Sequence, residues 1–595
     1  MDTRTDHTAE VDLADQPRTT PNAAAHHSWR FMSAFDVLLT CAPALAALVP
    51  RIILAMQLDL VTDEVVYIQA GKVYLPLLRH LEIGAKGWSY NYEHPPFVKL
   101  LIGLMIYRNA ALGHPISELL AARIPSIFFG TLLVVAVYWL GRIPFGRIIA
   151  CAAALCLAFS PWLVYFSGLA YLDTTMTALI SIAYLLLWPA IRRPWLYLLV
   201  AILVGLAGAS KYPAALALPG FILFTAYYFF VIRFYLPPEQ RPAIPWLWWI
   251  GALILAPLTF LAADPAIWPH PIALLQHSFR FEELHSANGH LTFFAGQARV
   301  HMPQWTIFYT LFVKVSAFVT LPAIFFLFFA LVQLARFHLR APGIHIRDAA
   351  AIAFLFIWLV CILAAFSRLN IVVGTHYFLP AAAPLALAGA FGLAIILRAC
   401  FGFLPVIIRR LAPAPATGAP DTAASPASGE SKKSAFNPRS AAVCTLLIAA
   451  LAIPHLIGLV TIPQAEGYAS EFFHGEDSAL QVAYPGYREA VQWLAAHTHQ
   501  PARVGLVALP DTLGQKNAAT SWYYYNRDLP ARLQLTEAHP DDYNFPYDYL
   551  VWPMHLIQRG YAIPAAWRSK VVYVVMGGAT VYCYVLARNP ATVSQ

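Results

Sequence analysis

The sequence predicts a polytopic α-helical membrane protein of about eleven spans that carries a small extracytoplasmic α/β domain at its C-terminal end. Three observations carry this expectation. Of 595 residues, 59% are hydrophobic and only 12% charged, whereas a soluble domain holds roughly 25% charged residues. The apolar residues come in runs of about twenty, the length that crosses a ~30 Å hydrocarbon core. Lys and Arg are rich in every second turn between those runs, as they are when cytoplasmic loops retain the cations. This composition excludes an ordinary soluble enzyme, a disordered chain and a nucleic-acid-coating protein. The net charge of +8 reads as a topology signal at the membrane edge, with no nucleic-acid partner implied.

Residues 1–33 mix Asp, Arg, His and Thr without a basic start and read as a cytoplasmic tail, not as a cleaved leader. Spans are expected at 34–56, 121–141, 148–168, 174–190, 195–210, 213–232, 244–263, 305–335, 349–367, 372–397 and 441–462. Residues 96–108 carry Lys99 and Arg108 in a short stretch and suit an interfacial helix better than a crossing. With the tail inside, the cytoplasmic turns hold Arg142 and Arg147, Arg192 and Arg193, Arg233 and Arg241, Arg336, Arg340 and Arg347, and a final basic group from Arg398 to Arg439. The short turns between them hold at most one Lys or Arg each, none near 169–173, then Lys211, then Arg368, so counting 96–108 as a span would reverse the later loops and break the rule.

This register defines a membrane-embedded catalytic region over 34–410, with outer loops at 57–120 and 264–304. A Pro/Ala/Ser-rich cytoplasmic linker follows at 411–440, of the kind that stays flexible. The last span, 441–462, leads to an outer domain over 463–595. Within it, 486–499 has helical character, 503–509 reads as a buried strand, and 570–588 as two β-rich runs joined at Gly577-Gly578. Six of the seven cysteines lie in or beside apolar segments without ligand spacing, so no disulfide framework is implied.

Ionisable residues at membrane depth are expensive and mark function. The register gathers them at one interface. Asp63 and Glu64 follow the first span, Glu93, His94 and Lys99 open the interfacial helix, and Asp173 stands where the fourth span begins. Lys211 and Asp264 sit in outer turns, and Arg368 and His376 cap the ninth and tenth spans. Each has a plain structural reading as a solvated cap or a snorkelling cation; it is the shared sidedness that favours chemistry. The histidines of loop 264–304 lack HxH or HxxxH spacing. The aromatic run Trp522 to Tyr525 suits stacking on a sugar or packing in the outer domain's core.

The order of these residues resembles a known family. Asp63-Glu64 after span one, His-Pro-Pro-x-x-Lys at 94–99, Leu-Asp-Thr at 172–174, Lys-Tyr-Pro at 211–213, Asp-Pro-x-x-Trp-Pro at 264–269 and Tyr-x-Leu-Pro-x-x-x-Pro-Leu-Ala-Leu at 377–387 look like the GT-C glycosyltransferases of family 39. That family includes the protein O-mannosyltransferases and aminoarabinose transferases. The resemblance runs over roughly 34–400, with Thr62 where the family often has Phe before Asp-Glu. It implies a GT-C fold, a polyprenyl-phosphate sugar donor and action at the outer face of a bacterial inner membrane. The acceptor would be protein, lipid or glycan. It further implies Asp63 as catalytic aspartate, Glu64 as its acidic neighbour, Asp173 as second acidic site, Glu93 and His94 as a substrate-facing motif, and Lys99 and Lys211 at the lipid phosphate.

The chemistry is consistent with those residue types. A phosphate leaving an anomeric carbon is stable as an anion, since its second pKa is about 6, and needs no general acid. The reaction needs one base for the acceptor hydroxyl and cations for the developing charge. Asp63 is the expected base, with Lys99 and Lys211 on the phosphate and Arg368 in reserve. Glu64, Glu93 and Asp173 would orient hydroxyls, and the anomeric centre would invert. Clustered carboxylates suit Mg²⁺ or Mn²⁺, but the lysines already supply positive charge, so no obligatory metal or other cofactor is expected. A lipid-linked oligosaccharide polymerase or ligase is the nearest alternative. A transporter would place its charges at mid-membrane, and a scaffold would leave the acidic cluster without a purpose.

Overall fold

The computed structural model describes residues 34–58, 60–370, 374–411, 438–473, 480–508, 530–541 and 546–590. Among these, nine helical stretches are long and apolar enough to cross a membrane, and one further pair of helices does so if counted together. The chain is a multi-pass membrane protein with a small C-terminal sheet domain.

Helix α1 (Ala34–Gln57) is followed by α2 (Thr62–Arg79) and α3 (Phe97–Ala111), so the expected outer loop 57–120 contains two helices. They cross closely at Gly71 and Gly103, where a Cβ on either would collide with the other's backbone, the usual device for close helix approach in membranes. Helix α4 (Glu118–Phe145) starts at Ser117, whose hydroxyl accepts the Leu120 amide. Helices α5 (Arg147–Phe159) and α6 (Pro161–Ser167) form the bent pair, turning by 61° because Pro161 lacks the amide that would continue α5. Helices α7 (Leu172–Ala190) and α8 (Leu196–Ser210) follow.

The segment Tyr212–Tyr235 is a broken span. A 3-10 turn precedes α9 (Leu218–Tyr227), and a π turn precedes α10 (Arg233–Tyr235). After α11 (Trp246–Ala263), the second loop contributes α12 (Pro271–Asn288) and a hairpin of β1 (Thr292–Phe294) and β2 (Gln297–Arg299).

The stretch 305–335, expected as one span, is two helices, α13 (Thr306–Lys314) and α14 (Ala317–His338). The break is held from outside. Glu471 accepts the Ser316 hydroxyl at 2.8 Å and the Ala317 amide at 2.7 Å, supplying the negative charge that a helix N-terminus favours. Lys314 meanwhile donates to the Glu466 and Tyr468 carbonyls. Apolarity alone does not reveal a break whose partners lie about 150 residues further on. Helices α15 (Ile346–Phe366), α16 (Ala382–Leu411) and α17 (Pro438–Thr461) complete the bundle.

The C-terminal domain places α18 (Tyr487–His497) beside a five-stranded sheet ordered β4-β3-β5-β7-β6. Its strands are β3 (Ala502–Val507), β4 (Leu533–Ala538), β5 (Tyr549–Pro553), β6 (Val571–Gly577) and β7 (Thr580–Ala587), with the short α19 (Met554–Gln558) after β5. β3 runs parallel to β4 and β5, while β6 and β7 form the expected hairpin, Gly577 opposite Thr580 and Gly578 at φ +64°. The run Trp522 to Tyr525 lies outside the described residues.

One buried ion pair joins α1, α2, α4 and the turn before α7. Arg123 of α4 is fully buried and donates to both oxygens of Glu64, at 2.8 and 2.6 Å, and to the carbonyls of Ala55 and Leu58. Glu64 also accepts the amides of Val61 and Ala170, at 3.1 and 2.7 Å. Breaking such a pair from one side leaves an uncompensated buried charge. Arg123→Met should therefore cost about 3–5 kcal/mol. A thermal melt in detergent measures this, and Arg123→Met combined with Glu64→Leu should recover most of it. Equal losses in the single and double variants would show that the pair does not hold the fold.

Candidate active site

The site forms where the ends of α1, α7, α8 and α16 meet the loop before α3. Asp63 starts α2 and retains partial exposure, unlike Glu64. Its carboxyl is pushed up to about 6, chiefly by burial and further by Glu93 and Asp173, against the pull of Lys211; the Tyr171 hydroxyl is directed at it. Asp173 opens α7, where both of its oxygens accept from the Lys211 ammonium, at 2.9 and 3.1 Å. That ammonium also lies 4.2 Å from the Tyr377 ring centre, a favourable seat for a cation. His376 is buried, its ring 5.4 Å from those of both Tyr171 and Phe166.

Loop 91–94 forms the opposite wall. Glu93 accepts from the Asn91 side chain at 2.7 Å. His94 has its ring 6.3 Å from Tyr67 and its Nδ1 3.6 Å from Glu282 of α12. Burial first, then Lys211 and Lys99, holds this imidazole well below its usual pKa, so it is neutral at pH 7. Burial and Glu93 push Glu282 up to about 7.

Asp63, Asp173, Lys211, Glu93, His94 and His376 are thus brought together. Glu64 is not among them. Its oxygens are taken up by Arg123 and by the amides of Val61 and Ala170, so in this structure it holds the start of α2. Lys99 also has protein partners. Expected on a phosphate, it is fully buried and donates to the carbonyls of Asn91 and His94, at 2.7 and 2.6 Å, which makes it the strut of loop 91–94. Burial lowers it to about 7, against the opposing charges of Glu93 and Asp264.

Asp264 lies behind the same loop. It is 1% exposed, and among the described residues neither of its side-chain oxygens has a hydrogen-bond partner. Burial raises it to about 7, against Lys99 and the amides of Ala266 and Ile267. Arg368 is exposed after α15, with no side-chain hydrogen bond or ion pair to the cluster among the described residues. Tyr67, Tyr171, Tyr377 and Glu282 belong to the site without having been singled out in the sequence. Tyr377 alone had a signal, as the first residue of the 377–387 motif.

An apolar cleft of about 490 Å³ opens between α2, α3, α8 and α11, lined by Leu75, Leu78, Phe97, Leu100, Leu206 and Trp268 among others. Among the described residues, no group of three or more His, Cys, Asp or Glu side chains is arranged to hold a metal ion.

Residues 93–260 match the model of the dolichyl-phosphate-mannose-protein mannosyltransferase family. No curated protein matches the chain. Several solved structures are similar at low identity. ArnT from Cupriavidus metallidurans bound to undecaprenyl phosphate is 15% identical with a TM-score of 0.45, over 94% of this chain and 99% of that one. The Archaeoglobus fulgidus oligosaccharyltransferase in its apo form is 13% identical with a TM-score of 0.46, over 88% and 70%. The arabinofuranosyltransferase AftD from Mycobacteria is 15% identical with a TM-score of 0.35, over 93% and 40%. The chain is therefore similar to the dolichyl-phosphate-mannose-protein mannosyltransferases over 93–260, the stretch that holds Glu93, His94, Lys99, Asp173 and Lys211.

Proposed function

We propose that this chain is a membrane glycosyltransferase that moves a monosaccharide from a polyprenyl-phosphate sugar to an acceptor hydroxyl, with Asp63 as base and inversion at the anomeric carbon. The observation that carries the reading is the contrast between two adjacent carboxylates. Glu64 is saturated by protein donors, whereas Asp63 is partly exposed, faces the cluster of Asp173, Lys211, Glu93 and His376, and has a raised pKa. A carboxylate near pKa 6 is a stronger base than an ordinary aspartate, yet is still mostly ionised at neutral pH.

In the transfer, the acceptor oxygen bonds to the anomeric carbon and its proton passes to Asp63. The bond between that carbon and the phosphate oxygen breaks, and the electron pair leaves with the polyprenyl phosphate. Lys211, held by Asp173 and the Tyr377 ring, keeps Asp63 ionised and adds positive potential to the site. His376, Tyr171 and Tyr67 pack edge-on against one another as a buried aromatic wall of the site. The apolar cleft suits a polyprenyl chain, and the family match over 93–260 supports a lipid-phosphate donor. The outer face of a bacterial inner membrane is the proposed location.

Two outcomes test the base. Transfer from radiolabelled polyprenyl-phosphate sugars in proteoliposomes should fall by about 10²–10⁴ in Asp63→Asn, the usual contribution of a general base. The same variant should melt higher than wild type at pH 7. The folded pKa of Asp63 lies above its ordinary 3.8, so ionisation between about pH 4 and 6 favours the unfolded chain, and a neutral amide avoids that loss. Near-normal turnover in a folded Asp63→Asn would overturn the assignment.

A pH profile supplies a further check. Since the base must be ionised, kcat/KM should fall about tenfold per unit as the pH drops below about 6. A profile flat from pH 7 to 4.5 would exclude Asp63 as the titrating base.

A further inference from the structure

We propose that His94 binds a hydroxyl of the transferred sugar through its Nε2, and that Glu282 of α12 is the positioning residue that keeps the ring's proton on Nδ1. This deepens the glycosyl-transfer reading above, on which it rests, by naming a residue that selects the donor sugar.

The two nitrogens of this imidazole face different surroundings. Nδ1 lies 2.9 Å from the Glu93 carbonyl, which can only accept, and 3.6 Å from a carboxylate oxygen of Glu282. Facing two acceptors, Nδ1 carries the proton and donates it to the carbonyl. The carboxylate is beyond hydrogen-bond length, but its charge favours the same tautomer. The imidazole is neutral at pH 7, so Nε2 keeps a bare lone pair. The side chain is 12% exposed, and among the described residues Nε2 has no hydrogen-bond partner. A bare ring nitrogen accepts from a hydroxyl. It repels phosphate oxygens, which accept and do not donate. The ligand of His94 is therefore a hydroxyl and not the donor's phosphate.

Both walls that set this geometry are fixed. Ser278 of α12 donates to the Tyr92 carbonyl at 3.2 Å, and the Tyr92 ring packs against Phe281 with centres 5.2 Å apart. Glu282 stands four residues after Ser278, on the same helix face, so α12 delivers it to the loop that carries His94. Asn370 secures the end of α12 by donating to the Ser286 carbonyl at 2.6 Å, and Lys99 holds the loop through the His94 carbonyl. On the other wall, Arg488 of α18 donates to the carbonyls of Met56 and Gln57 at the end of α1, at 3.0 and 2.8 Å. The next helix, α2, carries Asp63 and Tyr67 four residues apart on one face. The Tyr67 ring centre is 6.3 Å from that of His94. With the acceptor oxygen at Asp63, the donor group that lies about one helical turn further along this face is a hydroxyl of the sugar ring.

The test uses the full chain in proteoliposomes with undecaprenyl-phosphate mannose and undecaprenyl-phosphate aminoarabinose, each beside its singly deoxygenated forms. For the sugar that is transferred, wild type should lose about tenfold in kcat/KM on one deoxy form, the scale of one hydrogen bond. His94→Phe keeps a flat ring and removes the acceptor. It should fall by a similar factor on the parent sugar and lose nothing further on that deoxy form. Its acid limb should stay near pH 6, since the base is Asp63. His94→Gln, which puts an amide oxygen where Nε2 was, should recover part of the activity and covers the case in which the phenylalanine variant does not fold. In ¹⁵N-histidine spectra of the chain in detergent, the signal lost in His94→Phe should be that of a neutral ring protonated at Nδ1. Glu282→Leu should mix the two tautomers, whereas Glu282→Gln, which keeps an acceptor, should not. A ring protonated at Nε2, or a deoxy penalty equal in wild type and His94→Phe, would overturn this proposal alone. An unaltered tautomer in Glu282→Leu would overturn the role of Glu282. Transfer of neither sugar by a folded wild type would overturn the donor reading on which the proposal rests.

Discussion

The ion pair between Glu64 and Arg123 is the constraint on which the site depends. Placing both charges out of water is unfavourable unless every remaining lone pair and proton is used, and here they are used. Arg123 reaches Ala55 and Leu58 as well as Glu64, and Glu64 accepts from Val61 and Ala170. The end of α1, the start of α2, the start of α4 and the turn before α7 are therefore tied together. Consecutive helical residues project about 100° apart. Fixing Glu64 toward Arg123 thus turns Asp63 about a quarter-turn away from that pair, where Tyr171 and Lys211 act on it.

The rest of the site repeats this logic of one group held and one left free. Lys99 ties down loop 91–94 from behind, and that leaves Glu93 and His94 facing the cluster. Lys211 is fixed between Asp173 and the Tyr377 ring, so its charge acts on Asp63 at constant position. Preorganised charge of this kind needs no rearrangement when a reaction proceeds.

Much of this was legible in the sequence, for identifiable reasons. Apolar length and alternating loop charge placed the helices, and because alternate turns share a side, they also put Asp63, Asp173, Lys211 and His376 at one end. Pairing was not legible. Glu64 reads as a partner of Asp63 until Arg123, hidden in an apolar helix, claims it. Lys99 reads as a phosphate ligand because nothing local says that the carbonyls of Asn91 and His94 lack donors. The break between α13 and α14 depends on Glu471, which lies beyond the last helix of the bundle. Such long-range partners leave no periodicity to read. In the sheet domain, the helix and the β6–β7 hairpin follow local patterns, whereas the parallel neighbours β4 and β5 are set by tertiary order alone.

The hold of Arg488 on Met56 and Gln57 bears on how divisible this protein is. The last carbonyls of a helix normally find a solvent or side-chain partner, and here α1 borrows its cap from a residue more than four hundred positions away. The membrane bundle is therefore not a self-sufficient module to which an outer domain has been added. Cutting the chain before Arg488 would leave the end of α1, ahead of the helix that carries Asp63, without that cap. A natural or engineered exchange of the sheet domain that keeps this guanidinium keeps the cap on α1.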